Sequence, residues 1–116
     1  MKATGNVILD HTFEFAIAII SFTYEIEKTR KFAVANQLLK SGTSIGANAN
    51  DAQSPESKAD FIHKLKISAK EAQETEYWLM LCKYSDELSD PGQLIEKVQE
   101  ICKILTAIIS TSKNRL

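Results

Sequence analysis

The sequence predicts an all-α protein, a four-helix bundle, and three observations carry that reading. Apolar residues recur with the 3.6-residue period almost throughout, strand signals are scarce, and the polar breaks between periodic stretches are short. Helices of roughly 20 residues span about 30 Å, and short connections between them force antiparallel, up-down-up-down neighbours. A chain of 116 residues with 44% apolar content is enough for one domain with a proper core. The expected layout is an extended arm over residues 1–9 and a bundle over 10–113, with helices at 10–28, 55–86 and 91–112 and another over 30–52 whose second half the residues alone leave open between helix and loop.

The first helix carries two apolar stripes, one through Phe13, Ala16, Ile20 and Tyr24, the other through Phe15, Ile19, Phe22 and Ile26. One core-facing surface needs only one stripe, so the surplus predicts contact with another subunit. Phe15, Ile19 and Phe22 are assigned to that contact, together with Tyr77 and Trp78. Adjacent helical positions diverge by about 100°, so one of this aromatic pair faces a helix of its own bundle and the other a neighbouring subunit. Tyr and Trp are residue types in which interface energy concentrates.

The second helix opens through Phe32, Ala35, Leu38 and Leu39 and then meets SGTSIGANAND, Ser41 to Asp51. Gly, Ser, Thr and Asn weaken a helix interior, and propensity alone would make this a loop. Yet Leu38, Gly42, Ile45 and Ala49 keep helical spacing, and Gly42 with Gly46 would leave a smooth groove for another helix. The third helix is to start at Ser54 or Ser57 as rival caps. It repeats Phe61, Leu65, Ser68, Ala72, Thr75, Leu79 and Cys82 at four-three spacing, with a middle rung that is small or polar. In the fourth, Asp90 is expected as N-cap, Pro91 as first helical residue and Gln93 as capping-box partner. Leu94, Val98, Ile101, Leu105 and Ile108 form its seam, and the terminal TSKNRL is expected to fray.

The run LLKSGTSIGANANDAQS followed by KADFIHKLKISAKEAQETEYWL resembles the paired signature of the "four helix bundle protein" family, first noticed as reading frames within intervening sequences of bacterial 23S ribosomal RNA genes. The likeness is close over Leu38 to Leu81, and the flanking helices agree in length and pattern. It implies helix through about Asp51 and an antiparallel four-helix bundle assembling into a ring, usually a homopentamer. Accessory proteins of diversity-generating retroelements share the fold and associate with a reverse transcriptase and RNA, which makes RNA or an RNA-binding protein the alternative partner.

Candidate sites are few. Ser44 with Asn48, and Glu71 with Thr75, stand one turn apart on helices that the family places side by side, and buried polar groups need partners. These four are expected to satisfy one another and fix register. His63, Lys66 and Lys70 form a basic stripe suited to phosphate contact. Intervening acids, with pairs such as Asp60–Lys64 and Lys70–Glu74, oppose it. Asp60 and His63, followed by Glu71 and Glu74, supply one degenerate half of a di-iron arrangement, so no metal and no cofactor is expected. No nucleophile has a base at motif spacing, and no glycine-rich phosphate loop follows a strand, so the expected function is non-enzymatic, a self-assembling scaffold or adaptor. Net charge is −1, which supplies no global field toward nucleic acid or membrane. Cys82 and Cys102 read as reduced, buried thiols of a cytoplasmic protein. The longest unbroken apolar run, Phe15 to Ile20, is far short of a bilayer span, and no signal peptide is expected.

Overall fold

A computed structural model describes residues 3–115, and among them four helices and no strands are found: α1 (Val7–Lys28), α2 (Phe32–Asp51), α3 (Lys58–Tyr84) and α4 (Leu94–Asn114). They form a rod of 48 × 27 × 21 Å. Helix α2 packs against α1 and α3, and α4 against α3 and α1, while α1 and α3 face each other across the diagonal without direct packing. The core is a single cluster running from Ile8, Phe15, Ile19 and Ile26 through Leu38 and Ile45 to Leu65, Leu79, Val98, Ile101 and Leu105.

Helix starts follow local capping chemistry. The arm expected through Leu9 is shorter, because Asn6 caps α1 by accepting from the Leu9 N–H at 3.4 Å. Asp10 secures the entry, its Oδ1 accepting from both the Thr4 N–H and the Thr4 hydroxyl at 2.8 Å. Those bonds hold the Asp10 carboxyl below its ordinary pKa. Met1 and Lys2 of the expected arm lie outside the described residues. Of the rival caps for α3, Ser57 is the one used, accepting from Asp60 N–H at 3.0 Å, and Asp60 answers by accepting from Glu56 N–H at 2.9 Å. Asp90 does not cap α4. Its carboxylate accepts from Gly92 N–H at 3.1 Å, and Gly92 at φ +58° turns the chain before the helix begins at Leu94. A left-handed Gly two residues after Asp90 is incompatible with a first helical turn there. At its other end α4 runs on to Asn114, two residues beyond the expected end at 112, and Leu116 of the terminal TSKNRL lies outside the described residues.

SGTSIGANAND is regular helix to Asp51, and its glycines explain why propensity is overridden. A Cβ on Gly42 would stand 2.8 Å from Ile19 Cγ2 and 3.3 Å from Ile19 Cβ, and one on Gly46 would stand 3.2 Å from the Thr12 hydroxyl. Helix α1 therefore lies almost on the α2 backbone. Glycine costs about 1 kcal/mol of helix propensity at each position, and the close approach recovers dispersion contacts for Ile19, which is wholly buried.

The whole of α1 is long and apolar enough to cross a bilayer by length and composition, which the unbroken run Phe15–Ile20 did not convey. Its charges nonetheless bracket a short stretch. Glu14 and Glu25 enclose residues 15–24, about 15 Å of helix against the ~30 Å hydrocarbon thickness.

Replacing Gly42 with Ala is expected to destabilise the fold by up to about 2 kcal/mol, a clash of about 1–3 kcal/mol being offset by a propensity gain of about 1 kcal/mol. Gly46→Ala should be milder, its nearest neighbour being a hydroxyl at 3.2 Å. Urea unfolding followed by helical circular dichroism measures both, and a stabilised Gly42→Ala protein would contradict the packing argument.

Candidate functional site

The polar layer between α2 and α3 is real, but its members differ from those expected. Ser68 Oγ donates to the Ile45 carbonyl at 2.7 Å, and Thr75 Oγ1 lies 2.9 Å from Ser41 Oγ, all within the buried interior. Each hydroxyl has one proton. Thr75 also stands 2.8 Å from the Glu71 carbonyl, whereas Ser41 is 3.4 Å from the Leu38 carbonyl. The shorter set is satisfied when Thr75 donates to its own helix and accepts from Ser41.

Ser44 and Asn48 do not join this layer. Ser44 donates to the Lys40 carbonyl at 2.7 Å and Asn48 to the Ser44 carbonyl at 2.8 Å, so both fold back onto α2. Glu71 is partly buried, and burial, then the neighbouring Glu74 charge, push its carboxyl above the ordinary value while Lys40 and Lys70 pull it down. Of the expected quartet only Thr75 reaches across. Sequence reasoning passed over Ser41 and Ser68 as site residues, although Ser68 falls on the α3 seam and so carried a usable signal.

Helix α1 corrects a second expectation. Phe15 and Ile19 are 2% and 0% exposed inside their own bundle and offer no surface to a second copy. Phe22 is half-buried against the same core. Of the other stripe Phe13, Ile20 and Tyr24 turn outward, Tyr24 by 60%, while Ala16 is half-buried and Ile17, 51% exposed, takes its place in the outer surface. Periodicity distinguishes two stripes but not which turns inward, and here Thr12 and Thr23, buried with hydroxyls bonded to the Ile8 and Ile20 carbonyls, mark the inner face.

Across the bundle, α3 exposes Tyr77, Leu81 and Tyr84. Trp78 is half-buried on the core, its indole N–H donating to Glu74 at 3.3 Å and its ring edge-on to Tyr77 at 5.5 Å. The pair thus splits between inside and outside. Upstream on α3, His63, Lys66 and Lys70 are exposed. Lys64 pairs with Asp60 at 3.2 Å, while among the described residues Lys70 and Glu74 form no such pair. Lys66 stands next to Lys113 of α4, whose ammonium lowers the Lys66 pKa.

Chemically, the interior is quiet. Cys82 is buried and its thiol pushed up to about 11 by desolvation, and Cys102 is raised for the same reason first. Both shifts suppress the thiolate. Among the described residues no three His, Cys, Asp or Glu side chains converge as a metal would need.

Ser68→Ala is expected to cost about 1 kcal/mol by removing a buried interhelical hydrogen bond, whereas Ser44→Ala should be near neutral because alanine offsets the lost back-bond with better helix propensity. Denaturant midpoints of the two variants decide this. Glu71 yields a pH signature. A carboxyl whose folded pKa lies above its unfolded value opposes folding once ionised. The cost should be absent below about pH 4.5, the ordinary glutamate value, and grow as pH rises through the raised one. The stability advantage of Glu71→Gln should therefore open above pH 4.5 and close below it.

Comparison with known proteins places the geometry. No curated protein matches the chain. A crystal structure of a protein of unknown function from the S23 ribosomal protein family of Bacteroides thetaiotaomicron is similar over 88% of this chain and 97% of its own, at 39% identity with a TM-score of 0.82. The sequence model described as 23S rRNA-intervening sequence protein matches residues 5–107. With four packed helices, a glycine-lined second helix and a match over nearly its whole length, the chain belongs to the 23S rRNA-intervening sequence protein family.

Proposed function

We propose that this protein is a non-enzymatic, self-assembling scaffold of the cytoplasm, working as a closed ring of antiparallel four-helix bundles. The observation that carries the reading is the placement of two exposed apolar surfaces, Phe13/Ile17/Ile20/Tyr24 on α1 and Tyr77/Leu81/Tyr84 on α3, on helices that do not touch. Neither patch can cover the other within one chain. A second copy brings the complementary patch, and acids beside the α1 stripe, Glu14 and Glu25, can meet bases on α3, Lys70 and Lys83, which are opposite in sign. An interface between unlike faces leaves one of each open at the ends, and closure into a ring covers them all. Five subunits is the number the family resemblance implies.

The antiparallel arrangement rests on pairings that descend on one helix as they rise on the next. Asn6 meets Gln53, Thr12 meets Gly46 and Ile19 meets Gly42. Ser41 and Ile45 meet Thr75 and Ser68, and Glu76 accepts from Gln99 at 2.7 Å where Lys66 neighbours Lys113. A non-enzymatic role is supported by hydroxyls committed to helix carbonyls and by thiols shifted away from reactivity. The alternative, association with RNA or an RNA-binding protein, is favoured by one observation, that His63, Lys66 and Lys70 lie on the open face of α3.

Light scattering on the purified chain should report a mass several times that of one subunit. Ile17→Glu and Tyr77→Glu should each give smaller species of unchanged helicity. An equimolar mixture of the two variants should pair, since each retains the face the other has lost. A single-subunit mass for the parent protein at high micromolar concentration, or a mass unaltered by Ile17→Glu, would overturn the reading. For the alternative, labelled RNA should shift at low salt and be released at high salt.

A further inference from the structure

We propose that the groove between the first half of α3 and the last turns of α4 binds a dianionic phosphate group, either inorganic phosphate or a phosphate monoester. The groove is open, about 370 Å³ in volume, and lined by Lys66 from α3 and by Thr106, Ile109, Ser110 and Lys113 from α4. No carboxylate lines it. Among the described residues neither ammonium has an acidic side chain within 4.0 Å, the ion pairs present being His11–Glu100, Lys28–Glu25, Lys31–Glu87 and Lys64–Asp60. Two cations thus share one small space with no acidic side chain of the described residues beside them. Contact with the Lys113 side chain, and then its charge, holds Lys66 below the ordinary lysine value, and an anion between them would relieve it.

Donor number and charge select the ligand. Two ammonium groups with three donors each, and the hydroxyls of Thr106 and Ser110 on one face at i, i+4, offer more hydrogen bonds than the two oxygens of a carboxylate can accept. A tetrahedral oxyanion uses them on several sides. The paired positive charges match a dianion, which a phosphate monoester is near neutral pH and a diester is not. The negative end of α4 lies close by, but its effective charge of about −0.5 is outweighed by two full positive charges. Ile109 provides an apolar wall against which a small organic group of the ester can rest.

The groove takes all of its lining residues from one chain, and it is tested on the full chain by ³¹P NMR at fixed ionic strength, titrating inorganic phosphate, phenyl phosphate and diphenyl phosphate. The expected result is saturable binding of inorganic phosphate, with the diester roughly tenfold weaker. Lys66→Met and Lys113→Met should each weaken binding by roughly tenfold, a charge-assisted hydrogen bond being worth about that factor. Lys97→Met, distant from the groove, should bind like the parent. Phenyl phosphate binding as tightly as phosphate or tighter assigns the ester as ligand, and markedly weaker binding assigns the free ion. Thermal unfolding of each variant confirms that it is folded. Non-saturating titrations with the parent protein, equal affinity for the diester, or an equal loss in Lys97→Met would overturn the proposal.

Discussion

Everything in this bundle is arranged around the contact of α1 with the glycine face of α2. A methyl group at position 42 has no room beneath Ile19, and at position 46 little room beside Thr12. Such a contact is specific in register, because sliding by one turn toward the start of α2 would set Ile19 against Leu38, and sliding one turn the other way, onto Gly46, would carry Thr12 off its own glycine. Once Ile19 sits over Gly42, the inner face of α1 is fixed as Ile8, Thr12, Phe15, Ile19, Thr23 and Ile26. Phe13, Ile17, Ile20 and Tyr24 then point outward as a geometric consequence.

The opposite side of α2 solves a different problem. Small residues let α3 come near, but Ser41, Ser68 and Thr75 carry hydroxyls into a dry interior, where an unpaired polar group costs a few kcal/mol. Each hydroxyl has a partner, and among the described residues no buried side-chain nitrogen or oxygen lacks one. The α2–α3 seam is therefore held in register by directional bonds, the α1–α2 seam by shape. Helix α4 completes the core with branched apolar residues at Leu94, Ile95, Val98, Ile101 and Leu105.

The proposed assembly follows from what this packing leaves uncovered. Fully burying a large apolar side chain is worth about 1.5–3 kcal/mol, and those on α1 and α3 are already partly covered. One such interface has little to spare against an association cost of about 4 kcal/mol or more. In a closed ring every subunit makes two interfaces, and breaking one leaves its ends held nearby, which favours closure over an open pair. Tyr24 and Tyr84 suit such a surface, pairing apolar area with a polar tip that tolerates exposure.

The linear order of residues was enough for the number of helices, the seams of α3 and α4, and the continuation of α2 through Asp51, because seam spacing is a local property and the family signature spans that segment. It also contained the caps, yet Asn6 was passed over because an extended arm was expected there, and Asp90 was misread because the backbone of Gly92 was not foreseen. Which α1 stripe faces inward was decided only by tertiary structure. Both stripes have the same period and similar apolarity, and the choice depends on which side chains lie beside the glycines of a different helix. The same holds for the hydroxyls: Ser41 and Ser44 are alike in sequence, but three residues of helix turn them about 60° apart, enough to send one across to Thr75 and the other back to Lys40. Lys66 and Lys113, 47 positions apart, share a groove only because α3 and α4 pack side by side.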